Sequence, residues 1–312
     1  MSTTRVTGRV SIVVLNWNSG DLGAAAVASA RAQRWSDLEV VVVDNASEDD
    51  SLARILADHP DVTVVRNDRN LGFGAGMNRG IAEATGEFVL PLNCDAELHA
   101  DYVPTLVASI NADDRCGGAG GVVGSARVGE SGAQAISPVM RTTSVALTEP
   151  AVVEKVNGAC PLLRSAALDD VTALRGAPYD GDYFVYGEDV DLARCLRSLG
   201  WRLRFDPAAR AEHVRSFGSS PRLADRRGAL RTSTLRNRHR NIVRHAPRPW
   251  PVFTVAAGVQ DVGFVAIQLA KRDIAVVPDM VRAWVGAART LFSDVRLRRR
   301  LRHAERMGKA TH

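Results

Sequence analysis

Cysteine is sparse in this chain of 312 residues: Cys94, Cys116, Cys160 and Cys195 lie far apart and form no CxxC pair. That spacing excludes a zinc knuckle and a disulfide framework as organising devices. Reduced thiols in a cytoplasmic protein are the expectation. Aromatic residues make up only 5% of the chain. None is interleaved with the Arg-rich C-terminal stretch as a base-stacking surface requires, so nucleic acid is not an expected partner. The segment Met1–Arg9 is short and polar, without the apolar centre of a signal peptide. The N-terminal strand pattern is not followed by a Gly-rich, Lys-containing loop, which argues against a nucleotidyltransferase.

What is present is an apolar fraction of 46%, ample for a core, and a net charge of +5 placed unevenly. The excess arginine falls in the last third and points to an anionic partner such as phosphates or a membrane surface. The first hundred residues alternate two kinds of pattern. Val10–Leu15 and Leu38–Val43 are nearly unbroken apolar runs, as strands buried on both faces require. Between and after them come helical patterns, then a strand over Val62–Arg66, a glycine cluster at Gly72, Gly74 and Gly76, and the strand Phe88–Asn93. Repeated strand–helix units predict an α/β domain with a mainly parallel sheet, and ligands then sit beyond the carboxyl ends of the strands. Asn16, Asp44 and Asp95 all fall at such ends. The glycine cluster does not spell a dinucleotide fingerprint; close helix–sheet packing and approach to a phosphate remain equal readings of it.

Two acid clusters carry the chemistry. Asp95 and Glu97 follow a strand, and alternation predicts that they point to one side. Two neighbouring carboxylates need compensation, which a divalent cation supplies as readily as solvent does. Farther on, Glu188, Asp189 and Asp191 open a helix whose apolar face includes Leu192, Cys195, Leu196 and Leu199. Helix-dipole capping accounts for one acid there; the others leave room for a general base. His213 alone reads as structural, or as a nitrogen ligand if the fold returns it to Asp95. Gly124–Pro150 reads as a long loop, Val156–Leu163 as a strand, and Asp44 as an acceptor of hydrogen bonds from a ribose or base.

The order of these motifs resembles the family 2 glycosyltransferases of the GT-A fold, in particular bacterial rhamnosyltransferase-like members. The segments that carry the resemblance begin with Ile12–Asn18, Val43–Ser47 and Asn70–Phe73. They continue through Leu92–Glu97, Val156–Cys160 and Tyr186–Leu192 to the strand ending at His213, with Arg236-Asn237-Arg238 on a later helix. The resemblance implies a mixed, mainly parallel nucleotide-binding sheet over residues 8–245, followed by a helical, basic extension over 246–312. It implies inverting, metal-dependent transfer of a sugar from a nucleotide-sugar donor to an acceptor hydroxyl, with a lipid-linked glycan or a soluble molecule as acceptor. A non-catalytic sugar-nucleotide-binding relative is the alternative, but Asp95 and Asp189 are both present. By the same resemblance Asp189, with Glu188 beside it, supplies the catalytic base. Asn16, Asp44, Asn45, Asn78, Asn93, Asp95 and Arg236 meet the donor, and Asp95, Glu97 and His213 hold Mg²⁺ or Mn²⁺. Glu97 stands where a strict DxD motif has its second aspartate, and no Gln-x-x-Arg-Trp motif of polymerising synthases occurs.

In the C-terminal extension, Val252–Ala270 and Ile274–Phe292 are helix candidates. Asp261 near the middle of the first is costly in hydrocarbon, so packing on the catalytic domain or at a membrane interface is expected over spanning. Arg296–Arg302 forms a basic amphipathic end suited to anionic lipid head groups or to water. Peripheral attachment at the inner face of the plasma membrane is the expected location.

Overall fold

The computed structural model describes residues 5–124, 130–213 and 227–310. Four parallel strands form one half of a nine-stranded sheet: β1 (Val6–Asn16), β2 (Leu38–Asp44), β3 (Thr63–Arg66) and β4 (Gly86–Asn93). They lie in the order β3-β2-β1-β4. Helices α1 (Leu22–Arg31), α2 (Ser51–Asp58) and α3 (Phe73–Glu83) connect them. The nearly unbroken apolar runs have the expected cause. Val10, Ile12 and Val14 of β1 join the core beneath α1 and α2, while Val13 and Leu15 join the opposite core with Met77 and Ile81 of α3. A strand covered on both faces cannot alternate apolar with polar residues.

The other half is mixed. After the short β5 (Ala96–Leu98) and α4 (Tyr102–Asn111) comes β6 (Cys116–Gly124), then β7 (Gln134–Ile136), β8 (Thr142–Ser144), β9 (Ala151–Val153), β10 (Leu162–Arg164) and, later, β11 (Arg202–His213). Strand β10 runs antiparallel between β4 and β6, and β11 is parallel to β6 but antiparallel to β5 and β9. The segment read as one long loop holds the β7–β8 hairpin, which pairs through Gln134, Ala135 and Ile136; positions 125–129 of that segment lie outside the described residues. The strand expected over Val156–Leu163 is confined to its last residues. Asn157 accepts the Ala159 N–H at 2.9 Å, a side-chain turn that bends the chain before Pro161.

Helices α5 (Ser165–Arg175) and α6 (Glu188–Ser198) pack on the sheet. Four more follow: α7 (Arg227–His245), α8 (Trp250–Ala270), α9 (Val276–Arg289) and α10 (Leu291–Ala310). Ion pairs hold these last helices to the sheet domain. Arg240 and Arg244 of α7 reach Asp294 of α10 and Asp180 in the loop before α6. Asp261, the acid expected to be costly, is buried against Arg238 at 3.0 Å, His239 at 2.6 Å and Trp284 at 3.1 Å. With its one acid turned inward, α8 presents Val252, Val255, Val259 and Val262 outward. This is the one described helix long and apolar enough to cross a membrane.

The basic end is different from its sequence pattern. Arg298 is buried and donates to the carbonyls of Val243 at 3.1 Å, Arg244 at 3.2 Å and Ala246 at 2.8 Å, closing the C-terminus of α7. Arg300 does the same for Leu174 near the end of α5, at 3.0 Å. Of the five arginines in Arg296–Arg302, Arg296 and Arg299 remain fully on the surface without such a task.

Candidate functional site

The carboxyl ends of β1, β2 and β4 lie side by side, with Asn16 paired in register to Asp44 and Leu15 to Asn93. Asn16 is fully buried and donates to Asp44 at 3.0 Å, Ser47 at 3.1 Å and Ser51 at 3.0 Å. It fixes the Asp44 carboxylate at the strand tip. Asn45 is spent on the neighbouring loop: its amide donates to Asn70 and Gly72, and its oxygen accepts from Asn67 and Leu71. That loop enters α3 through Gly72, at φ +80°, where a Cβ would fall 2.4 Å from the Phe184 carbonyl oxygen. The glycine cluster therefore serves close packing. Asn78 is likewise committed, clamping the Tyr179 backbone through both its amide nitrogen (2.8 Å) and its oxygen (3.0 Å).

Beyond β4 the chain turns at Cys94-Asp95 before β5, so the expected alternation is interrupted. Asp95 is buried and Glu97 is exposed. Strand β5 pairs antiparallel with the end of β11, His213 opposite Ala96, and this brings His213 Nε2 to 3.0 Å from Asp95 Oδ1. Asn93 lies 3.4 Å from the same imidazole nitrogen. His213 Nδ1 is buried with no hydrogen-bond partner among the described residues. Glu97 faces outward, opposite Glu212 on β11, and does not converge on the Asp95–His213 pair.

Helix α6 supplies the second acid group. Its entry is strained: Tyr186 has φ +65° and Gly187 φ +88°. Helix α7 secures that entry, with Asn237 donating to the carbonyls of Val185 (3.1 Å) and Tyr186 (2.7 Å) and Asn241 to that of Gly187 (2.8 Å). Arg236 donates to the Asp182 carbonyl at 2.6 Å, so the structure places it as a brace of the same loop. The three acids that follow differ sharply. Glu188 is buried with Oε2 unpartnered among the described residues, and burial, then the charge of Asp189, pushes its carboxyl up to about 8. Asp189 is the open one, its side chain 31% exposed, with Lys155 Nζ at 2.6 Å and the Val190 N–H at 2.8 Å. Asp191 is wholly buried between Arg175, Arg244 (3.2 Å) and His245 (2.7 Å). Burial alone pushes its carboxyl up, but the two guanidinium groups more than reverse this and hold it well below the usual range.

Lys155 escaped sequence reasoning. It is a single lysine outside any motif, and only its distance to Asp189 singles it out. Among the described residues, the one group of three acid, imidazole or thiol donors within 4.8 Å of one another is Asp191, Cys195 and His245. Arg175 and Arg244 already neutralise that aspartate, and burial pushes the Cys195 thiol up to about 12, so the cluster disfavours a further cation.

The chain can now be set beside known proteins. The family model described as "Glycosyl transferase family 2" matches residues 11–170, more than half of the chain. The succinoglycan biosynthesis protein ExoO of Rhizobium meliloti (strain 1021) is 36% identical over 104 residues, 33% of this chain and 30% of that protein. The chain spans about a third or less of the length of several curated relatives it matches. A longer match is the N-acetylglucosaminyl-diphospho-decaprenol L-rhamnosyltransferase of Mycobacterium tuberculosis (strain ATCC 25618 / H37Rv), 25% identical over 280 residues. That match covers 78% of this chain and 89% of the relative. In fold, the crystal structure of GalNAc-T7 with UDP, GalNAc and Mn²⁺ superposes with a TM-score of 0.58 at 20% identity, over 75% of this chain and 47% of that one. The α/β architecture is thus that of GT-A glycosyltransferases. The chain belongs to glycosyl transferase family 2.

Proposed function

We propose that this enzyme transfers a sugar from a nucleotide-sugar donor to an acceptor hydroxyl with inversion at the anomeric carbon, assisted by a divalent cation. The observation that carries the reading is the buried Asp95–His213 pair, 3.0 Å apart at the strand ends. Neighbouring ligands of one small cation lie roughly 3 Å apart, so an oxygen and a nitrogen at this spacing fit Mg²⁺ or Mn²⁺. When bound there, the cation would neutralise charge on the departing diphosphate. Asp44, fixed by Asn16, receives the nucleoside hydroxyls; Asn45, Asn78 and Arg236 shape the walls, and Asn93 orients His213. Glu97 lies at the rim, where a water-bridged role is the one open to it.

Asp189 is the acid with a free approach and takes the acceptor proton. The acceptor oxygen bonds to the anomeric carbon as the bond from that carbon to the diphosphate oxygen breaks, its electron pair leaving on the diphosphate. One displacement inverts configuration. The acceptor class proposed is a lipid-linked glycan, supported by the activity for which the mycobacterial relative is named. The reading places the enzyme in the cytoplasm, peripheral to the inner face of the plasma membrane. The outward apolar face of α8, with Lys271 and Arg272 exposed at its end, supports lipid contact better than Arg296–Arg302 does.

The test is a panel of UDP-glucose, UDP-galactose, GDP-mannose and dTDP-rhamnose, assayed for nucleoside diphosphate release with and without polyprenyl-diphosphate glycans. One donor should turn over with Mn²⁺ or Mg²⁺ and stop with EDTA. Full turnover in EDTA would remove the cation from the proposal, and acceleration by soluble glycans alone would replace the acceptor.

A further inference from the structure

Asp189 does not stand alone, and its neighbour is an unusual residue to find inside a protein. The Lys155 side chain is 3% exposed. Lysine is almost never buried without partners that satisfy its charge and its N–H groups. Its ammonium has three donors, and three acceptors meet them: Asp189 Oδ2 at 2.6 Å, Gln134 Oε1 at 2.7 Å and the Val156 carbonyl at 3.0 Å. No N–H is left over for a substrate. Any effect of Lys155 on the reaction must therefore pass through Asp189.

The surroundings make that effect specific. On its own helix Asp189 is flanked by Glu188, which burial favours in the neutral form, and by Asp191, whose charge is absorbed by Arg175 of α5 and by Arg244 and His245 of α7. Tyr179, in the loop after α5, is a buried phenol whose ionisation burial opposes, with the nearby charges of Glu188 and Asp189 adding to that. Lys155 is the one cation in contact with the Asp189 carboxylate among the described residues. From below, Gly158 closes the space: a Cβ there would meet Asp189 Oδ2 at 2.7 Å. The other carboxylate oxygen is tied to the Val190 N–H. Lys155 in turn pairs with Gln134 in an isolated backbone bridge as well as by side chain, so the β7–β8 hairpin and the acid of α6 meet at one ammonium.

We propose that Lys155 is a positioning residue for sugar transfer, holding the Asp189 carboxylate in one orientation and coupling it to the β7–β8 hairpin through Gln134. This rests on Asp189 being the base, and the two ideas can fail separately. The first test is a crystal structure of Lys155→Met. The Asp189 carboxylate should leave its place over Gly158 and turn to solvent, whereas Lys155→Arg should retain it; an unmoved Asp189 in Lys155→Met overturns the proposal without reference to any substrate. The second test is the separate measurement of kcat and KM for the donor that the panel identifies. A displaced base costs up to about a hundredfold in rate, so turnover should fall in Lys155→Met and recover in Lys155→Arg. The fall should appear in kcat, with binding of UDP and Mn²⁺ unchanged. If Lys155→Met does not fold, Lys155→Gln, which keeps a donor and removes the charge, takes its place in both tests. A folded, less active variant whose loss lies in KM or in UDP affinity, with kcat at the wild-type value, also overturns the proposal. Full activity of Asp189→Asn would instead strike the assignment of the base.

Discussion

Asp189 and Asp191 sit two residues apart on the first turn of α6 and live in opposite surroundings. One is nearly a third exposed with a single basic partner; the other is wholly buried with three. The contrast extends to the regions around them. On the open side, at the ends of β1, β2 and β4, polar atoms are left without partners among the described residues: His213 Nδ1 and Glu188 Oε2. On the closed side, Asp180, Asp191 and Asp294 interlock with Arg175, Arg240 and Arg244; Arg240 Nη1 makes no hydrogen bond among the described residues, but every charge there has a counter-charge, and the guanidinium groups of Arg240 and Arg244 also lie 4.7 and 5.2 Å from the Tyr183 ring. Saturated charge is structural, whereas under-satisfied polar groups grouped beside open space mark chemistry. The same helix turn serves both sides.

Breaking the closed side should have the largest effect. Asp191→Ala leaves Arg175 and Arg244 buried without their shared counter-charge, and removing one partner of such a group costs about 3–5 kcal/mol. Urea unfolding should show that loss, or the variant should fail to accumulate as folded protein. A stability within the error of wild type would mean that the network adds nothing to the fold.

Breaking the open side should cost activity far more than stability. Asp189→Asn keeps shape and removes the proton acceptor, so kcat should fall by roughly a hundredfold or more. The affinity for UDP with Mn²⁺ should barely move, and the urea midpoint should fall less than for Asp191→Ala, because buried Lys155 loses its counter-charge but keeps an oxygen acceptor at position 189. Near-normal turnover would transfer the role to Glu188, since Asp191 has no approach.

This contrast was half visible in the sequence. The parallel half of the sheet was legible because Val10–Leu15 and Leu38–Val43 are nearly unbroken apolar runs, the composition of a strand covered on both faces. Asp44, Asp95 and Asp189 were legible because they end strands or open a helix. The division of labour among Glu188, Asp189 and Asp191 was not, because it depends on partners distant in sequence. Arg244 and His245 are 53 and 54 positions from Asp191, and Lys155 reaches Asp189 from a stretch without periodicity. Likewise the apolar run of α8 could be read, but not the side on which Asp261 would find Arg238 and His239. Local pattern reports which residues can be buried; long-range pairing decides what they are buried against.

Glu188 joins the two sides and titrates accordingly. Its carboxyl is pushed from the ordinary 4.5 up to about 8 by burial first and by Asp189 second. Below pH 4.5 it is protonated in both folded and unfolded chains. As the pH rises from there, the unfolded chain releases the proton and the folded one holds it, so the stability contributed by the neutral form is lost progressively until about pH 8. The slope is at most about 1.4 kcal/mol per pH unit, and water at the open side reduces it. Glu188→Gln should match wild type near pH 4.5 and become relatively more stable toward pH 8. Parallel unfolding midpoints across that range would show that Glu188 is ionised in the fold.

The smallest effect is expected at Arg298, and it decides how the basic end is understood. Arg296–Arg302 reads in sequence as one amphipathic cluster for an anionic surface, yet its members do different things. Arg298 satisfies three carbonyls at the end of α7, where unpaired oxygens and the negative end of the helix dipole favour a cation. Its burial opposes this, holding its guanidinium down to about 10, so the two contributions partly cancel. Arg298→Met should therefore lower stability by only about 1 kcal/mol, while Arg299→Gln, on the exposed face, should change it by less than the error. Removing residues 296–312 takes away Arg298, the Arg300 contact to Leu174 and the buried Leu301 together, and the truncated chain should unfold earlier and lose turnover of a soluble acceptor with it. Urea midpoints of the three proteins make the comparison. If truncation leaves both midpoint and turnover untouched, the arginines close no helix ends that matter, and the cluster is free to meet an anionic surface as a unit.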